Sequence, residues 1–191
     1  MKKSVVTEKK SKNPAYNEAK KFEGKGEKDR AFVTYLSAYW KKAGLPGYKT
    51  IIGSSFAWCG LFILMANTNV GMKVISGAAG AKNWAKYGQE INFRRDGAPR
   101  GAVTHINHKG NCKSGSSNHV AFLNGDCTAA DFARKDGRIN LFGGNQSNTA
   151  KVSSFPAYEI CEVRWPSELP LPGPVKISDG CSGAPKGGST R

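Results

Sequence analysis

Cys59 stands in the segment SSFAWCGLF, residues 54–62, next to an aromatic residue and a glycine and just ahead of a run of large apolar side chains. Three readings compete for it: a small core residue, half of a disulfide, or a nucleophile. Free cysteine is common in protein interiors, which favours the first. A nucleophilic thiolate needs a base to manage protons, usually histidine, and a third polar group to orient that base. The chain offers His105, His108 and His119. His119 heads the apolar segment HVAFL, so a strand could hold its ring rigidly with one edge facing a cleft. His105 and His108 fall in the polar stretch THINHKGN, where solvent exposure is expected. The orienting group should come from a neighbouring strand. INLFGGNQS ends in two glycines that let the backbone approach closely, followed by Asn145 and Gln146. The Asn145 amide oxygen could accept the second imidazole N–H, although Gly-Gly-Asn also reads as a simple turn.

These residues need elements to hold them. Asn13-Pro14 reads as a helix start, with a helix-like segment over 15–22 that Gly24 and Gly26 interrupt. A second helix is expected over 29–43, with Phe32, Val33, Leu36, Tyr39 and Trp40 at helical spacing and Gly44 and Pro46 beyond its end. Ser54 or Ser55 can cap the next helix, running through Cys59 to about Asn67. That helix, FAWCGLFILMAN, is apolar on nearly every side and belongs in the middle of a domain. A start at Ser55 puts Cys59 in its first turn, where free backbone N–H groups and the helix dipole favour a thiolate. A short helix over 79–87 follows, and then strands at 101–106, 119–125, 138–143 and 160–166. Helices first and antiparallel strands after them predict an α+β domain.

The chain has 191 residues, enough for one ordinary domain, and 39% hydrophobic residues, which excludes a disordered class. No stretch approaches the roughly 18 apolar residues that span a bilayer. The opening MKKSVVTEKKSKNP is basic like a signal peptide but lacks its apolar middle region. A net charge of +15 would attract any polyanion: nucleic acid, anionic lipid or an anionic wall polymer. A solvated basic surface is the plainer account. No zinc-finger spacing, basic region with heptads or RNA-recognition signature accompanies the charge, so nucleic acid is not the expected partner. The cysteines, Cys59, Cys112, Cys127, Cys161 and Cys181, include no Cys-x-x-Cys pair, which argues against structural zinc. Four of the five could form two bridges in an exported protein. Nearness in sequence suggests Cys112 with Cys127 and Cys161 with Cys181, leaving Cys59 free.

Several segments then agree at once. FAWCGLF resembles the Trp-Cys helix start of the CHAP and NlpC/P60 superfamily of cysteine peptidoglycan hydrolases, particularly a group in phage and bacterial cell-wall enzymes. AKKFEGKGEKDRAFVTYLSAYWKKAGLPGY is similar to that group's leading helical segment, and AAGAKNWAKYGQ to its tryptophan-bearing small-residue helix. APRGAVTHI resembles the start of the first strand, and NHVAFLNGD the strand that opens with the catalytic histidine. INLFGGNQSNTAKVSSFPAYEICEVRWP is close to the final strands. The likeness runs in order over roughly residues 15 to 166. It departs where Asn118 stands for the usual glycine before the histidine, where Ala102 stands for a frequent aspartate, and where the insert NHKGNCKSGSSN carries Cys112.

The resemblance implies a papain-like NlpC/P60-CHAP fold, with N-terminal helices packed on an antiparallel β-sheet. It implies Cys59 as nucleophile, His119 as base and Asn145 as orienting residue, with Trp58, Asn118 and Gln146 toward substrate; packing under the helix is the alternative for Trp58. The expected domain spans 15–166, between a basic arm (1–14) and a Pro/Gly-rich tail (167–191). The expected activity is cleavage of an amide in cell-wall peptide, as an endopeptidase or an N-acetylmuramoyl-L-alanine amidase. No metal or cofactor is called for, and Asp126, Asp131 and Asp136 miss the calcium-loop spacing and read as surface turn residues. Expected partners are peptidoglycan stem peptides and anionic envelope polymers, for a monomer that is secreted, periplasmic, wall-bound or phage-delivered; an immunity or inhibitor protein is left open. A non-catalytic basic wall-binding module on the same scaffold is the rival reading.

Overall fold

The structure, a computed structural model, describes residues 10–43 and 57–182. The expected cap at Ser54 or Ser55 and the stop at Gly44 and Pro46 lie outside those residues. Asn13 caps α1 (Pro14–Lys20): its side chain accepts from the Ala15 N–H at 2.9 Å, and Pro14 occupies a position whose N–H would be unpaired anyway. The same Asn13 amide donates to the Gly101 carbonyl at 2.8 Å, so the cap ties α1 to the start of the sheet. Asp29 caps α2 (Arg30–Ser37), which runs on into a 3-10 turn over Ala38–Trp40 and buries Phe32, Val33 and Leu36. In α3 (Cys59–Asn69) every residue from Cys59 to Asn67 is buried. A helix apolar all round must be covered all round, and here α1 and α2 pack against it together with β3 and β4 of the sheet. The helix expected over 79–87 is a 3-10 segment, Ala81–Lys86.

The sheet has six antiparallel strands: β1 (Gln89–Glu90), β2 (Val103–Asn107), β3 (Asn118–Leu123), β4 (Arg138–Gly143), β5 (Lys151–Pro156) and β6 (Ile160–Trp165). Their order is β1-β6-β2-β3-β4-β5. Side chains alternate between two cores. Val103, Val120, Phe122 and Phe142 face the α1–α3 layer with Trp58 and Trp84. Ile106, Ala121, Leu123, Ile139 and Leu141 face the other way, under Phe93 of α4 (Phe93–Asp96) and Phe132 of α5 (Ala129–Ala133). The α+β class is as the sequence implies. The two strands it did not reveal are β1, only two residues long, and β5, whose KVSSFP carries two serines and ends in proline.

The disulfides are not the neighbour pairs expected. Cys112 bonds to Cys161 and Cys127 to Cys181. Strand order is the reason. β6 lies beside β2, with Ile106 paired to Ile160, so the loop after β2 that carries Cys112 emerges next to Cys161. The segment expected as a tail is tied down as far as it is described. Asp126 and Asp179 exchange two backbone hydrogen bonds of 2.9 Å, the Asn140 N–H donates to the Cys181 carbonyl at 2.7 Å, and Trp165 Nε1 donates to the Pro170 carbonyl at 3.0 Å. Cys59 is the one free cysteine, and it is buried.

Candidate active site

Cys59 is the first residue of α3, one turn earlier in the helix than a start at Ser55 would make it. The first intrahelical bond runs from the Phe62 N–H to the Trp58 carbonyl, so the N–H groups of Cys59, Gly60 and Leu61 have no acceptor within the helix. Burial pushes the Cys59 thiol up from its ordinary range, while the backbone N–H groups of Val120, Gly60 and Cys59 itself reach the sulfur and favour the thiolate. The Val120 contact fixes the position of the site: the sulfur lies against the backbone of the residue that follows His119.

Glycines make that approach feasible. A Cβ at Gly60 would come within 2.5 Å of the Ala78 and Ala79 carbonyl oxygens, and one at Gly144 within 2.4 Å of the Trp58 ring and 2.7 Å of Phe62 Cβ. A Cβ at Gly143 would meet Ala121 Cβ at 2.7 Å. The end of β4 is thereby pressed between α3 on one side and β3 on the other. The β3–β4 ladder pairs Leu123 with Leu141 and Phe122 with Phe142. Followed three residues further, that register sets Asn145 across from His119. The ladder has ended there, and Asn145, Ser147 and Asn148 all take left-handed backbone conformations, with φ of 59°, 52° and 59°. Such strain in non-glycine residues concentrates at functional loops.

His119 and Asn145 share a cleft of about 290 Å³ whose other walls are His108, Gln146, Ser147, Ser153 and Phe155. His119 is 6% exposed, and among the described residues its Nε2 has no hydrogen-bond partner. Burial drives its pKa down to about 3, with the charges of His108 and His105 acting in the same direction. At neutral pH the pair is therefore a thiol and a neutral imidazole. Asn145 stands on the wall of this cleft, and no hydrogen bond joins it to His119 among the described residues.

Two residues expected toward substrate lie elsewhere. Trp58 is fully buried, its Nε1 donating to Glu27 at 3.1 Å and its ring edge-on to Phe32 and Phe62, so it packs under the helix. Asn118 is held within its own hairpin by His105 Nε2 at 3.0 Å, by Asn107 and by the Ser114 carbonyl. Gln146 does line the cleft, 5% exposed, with its Oε1 unpaired among the described residues. His105, expected in solvent, is buried on β2; burial lowers its pKa, the Asn118 bond opposes that, and Lys82 adds to it. Of the three aspartates, Asp126 accepts from the Arg100 N–H and Asp131 completes a capping box with Thr128.

The cleft also holds residues that sequence reasoning passed over. His108 Nδ1 lies 3.2 Å from Glu159 Oε2, with the Glu159 side chain only 9% exposed and that of His108 47%. The His108, His119 and Phe155 rings lie nearly parallel, with centroids 5.6 to 6.0 Å apart. No local signal marks this group, because Glu159 is 51 residues beyond its partner. Among the described residues no cluster of His, Cys, Asp and Glu is placed to hold a metal ion. Compared with known protein families, curated proteins and solved structures, the chain matches none.

Proposed function

We propose that this protein is a papain-like cysteine hydrolase that cleaves an amide of cell-wall peptide, as an endopeptidase or an N-acetylmuramoyl-L-alanine amidase. The observation that carries the reading is the Cys59 sulfur at the start of a buried helix, met by the N–H of Val120, the residue that follows His119 in β3, whose imidazole lines a polar cleft. The motif resemblance supplies the substrate class. The two disulfides are compatible with an extracytoplasmic protein, and secretion to the periplasm or wall, or delivery there by phage, belongs to the same proposal.

The chemistry starts from neutral groups. His119 takes the Cys59 proton as the sulfur attacks the amide carbonyl, giving a tetrahedral intermediate whose oxyanion the N–H groups at the α3 start, which have no acceptor within the helix, can stabilise. Loss of the amine leaves a thioester, which water hydrolyses. Asn145, which shares the cleft with His119, is assigned the orienting role on the resemblance. The test is digestion of purified peptidoglycan by wild type and by Cys59→Ala, with soluble fragments identified by mass spectrometry. Fragments that disappear with Cys59→Ala are expected, and their masses name the bond. The burial of Cys59 favours a second reading, a basic wall-binding module without catalysis. It predicts equal wall binding by both proteins and no fragments from either.

A further inference from the structure

The cleft contains two imidazoles in unlike settings. His119 is enclosed, and its Nε2 has no partner among the described residues. His108 is half open to water and is held by Glu159. A carboxylate only accepts, so the Nδ1 of His108 carries a proton and its Nε2 is the atom that exchanges protons. The pair is built in rather than incidental. Glu159 is buried in the 3-10 turn Ala157–Glu159, and the Cys112–Cys161 disulfide fastens the loop after His108 two residues beyond Glu159. With centroids 6.0 Å apart, two charged rings would repel, and charge on His108 is the second cause that keeps His119 neutral. Two imidazoles side by side, one enclosed without a partner among the described residues and one held by a carboxylate at the edge of the cleft, can divide the base and acid roles between them.

We propose that His108, positioned by Glu159, is a second catalytic residue of this cleft, the acid that protonates the departing amine. The proposal rests on the cysteine-hydrolase reading and divides its proton transfers between two residues. In acylation the Cys59 S–H proton passes to His119, the sulfur–carbon bond forms, and the carbon–nitrogen bond breaks as His108 Nε2 gives its proton to the nitrogen. His119 is then charged and His108 neutral. In deacylation water adds to the thioester carbonyl and loses a proton to His108, the sulfur–carbon bond breaks, and His119 returns its proton to the sulfur. A carboxylic acid and an amine are released, and both imidazoles are back in their starting states.

Peptidoglycan digestion and alkylation of Cys59 by iodoacetamide, measured on wild type, Cys59→Ala, His108→Gln, His119→Gln, Glu159→Gln and Glu159→Ala, test this. Iodide leaves without a proton, so alkylation needs a base but no acid. His108→Gln should digest the wall at least about 100-fold more slowly while its alkylation rate stays within about threefold of wild type. His119→Gln should lose both. The alkaline fall of the wild-type digestion profile, where an acid loses its proton, should vanish from the residual activity of His108→Gln. Glu159→Gln, whose carbonyl still accepts from Nδ1, should retain more activity than Glu159→Ala. Digestion by His108→Gln within threefold of wild type overturns the proposal and leaves the hydrolase reading standing. So does a parallel loss of digestion and alkylation, which would make His108 structural. If wild type releases no fragments that Cys59→Ala abolishes, the hydrolase reading fails and this proposal falls with it.

Discussion

His119 loses by folding. In the unfolded chain an imidazole titrates near pH 6.5, whereas in the native protein burial holds it at about 3. Between those values the unfolded state binds a proton that the native state does not. Stability therefore rises with pH across that window and is lost as pH falls from about 6.5 toward 3. At pH 4 the penalty is on the order of 3 kcal/mol. His119→Gln removes it, so thermal melts should show the variant gaining on wild type as pH drops from 7 to 4, with their difference constant above pH 7. His105 shifts in the same direction and remains in both proteins, so the cost of its own burial is common to both melts. At this scale the candidate site was half legible. Cys59, His119 and Asn145 were marked by their own neighbours: an apolar helix start, the head of an apolar strand, two glycines before a polar pair. His108 was passed over because Glu159, which holds it, arrives from another strand end.

Elements were readable where a local rule decides them. Asn13-Pro14 announced α1, and the alternation in RINLFG gave β4 its observed bounds. The start of α3 was harder, since Trp58 makes no side-chain cap and the helix begins at the cysteine itself. What aligns α3 with β4 is steric. The Gly143-Gly144 pair is flat enough to be enclosed by Ala121, Trp58 and Phe62. Gly144→Ala forces a methyl into the Trp58 ring and should lower stability by about 1–3 kcal/mol. It should also shift Asn145 and slow wall digestion. Gly173→Ala, where a Cβ meets nothing within 4 Å, should leave both unchanged. Chemical denaturation beside the digestion assay checks the pair. The same packing explains why Trp58 could not be placed from sequence: an aromatic beside a nucleophile suits a cleft wall and a core equally well, and only the helix layer above it decides.

Across the whole molecule, a sheet covered on both faces leaves the cleft at one end of β3, rimmed by the β2–β3 and β4–β5 connections. Among the described residues no helix is long and apolar enough to cross a membrane. The last described residues are held to the sheet by Cys127–Cys181 and by backbone bonds at Asp126 and Asn140. The double variant Cys127→Ser with Cys181→Ser should melt about 10 °C lower, as loss of a native bridge costs about 2–5 kcal/mol. Limited proteolysis should then cut near residue 178 first. Pairing by nearness failed for a reason visible only here. Sheet order, not sequence distance, determines which thiols meet.

That pairing has a consequence for how the chain matures. The two bridges interleave: of the four bridged cysteines Cys112 and Cys127 leave the ribosome first, after the free Cys59, and neither is the other's partner. An oxidase that joins thiols in order of appearance would lock in the wrong ring. Each correct bridge must wait for a cysteine about fifty residues later, so efficient production depends on a disulfide isomerase or on oxidation held back until translation is complete.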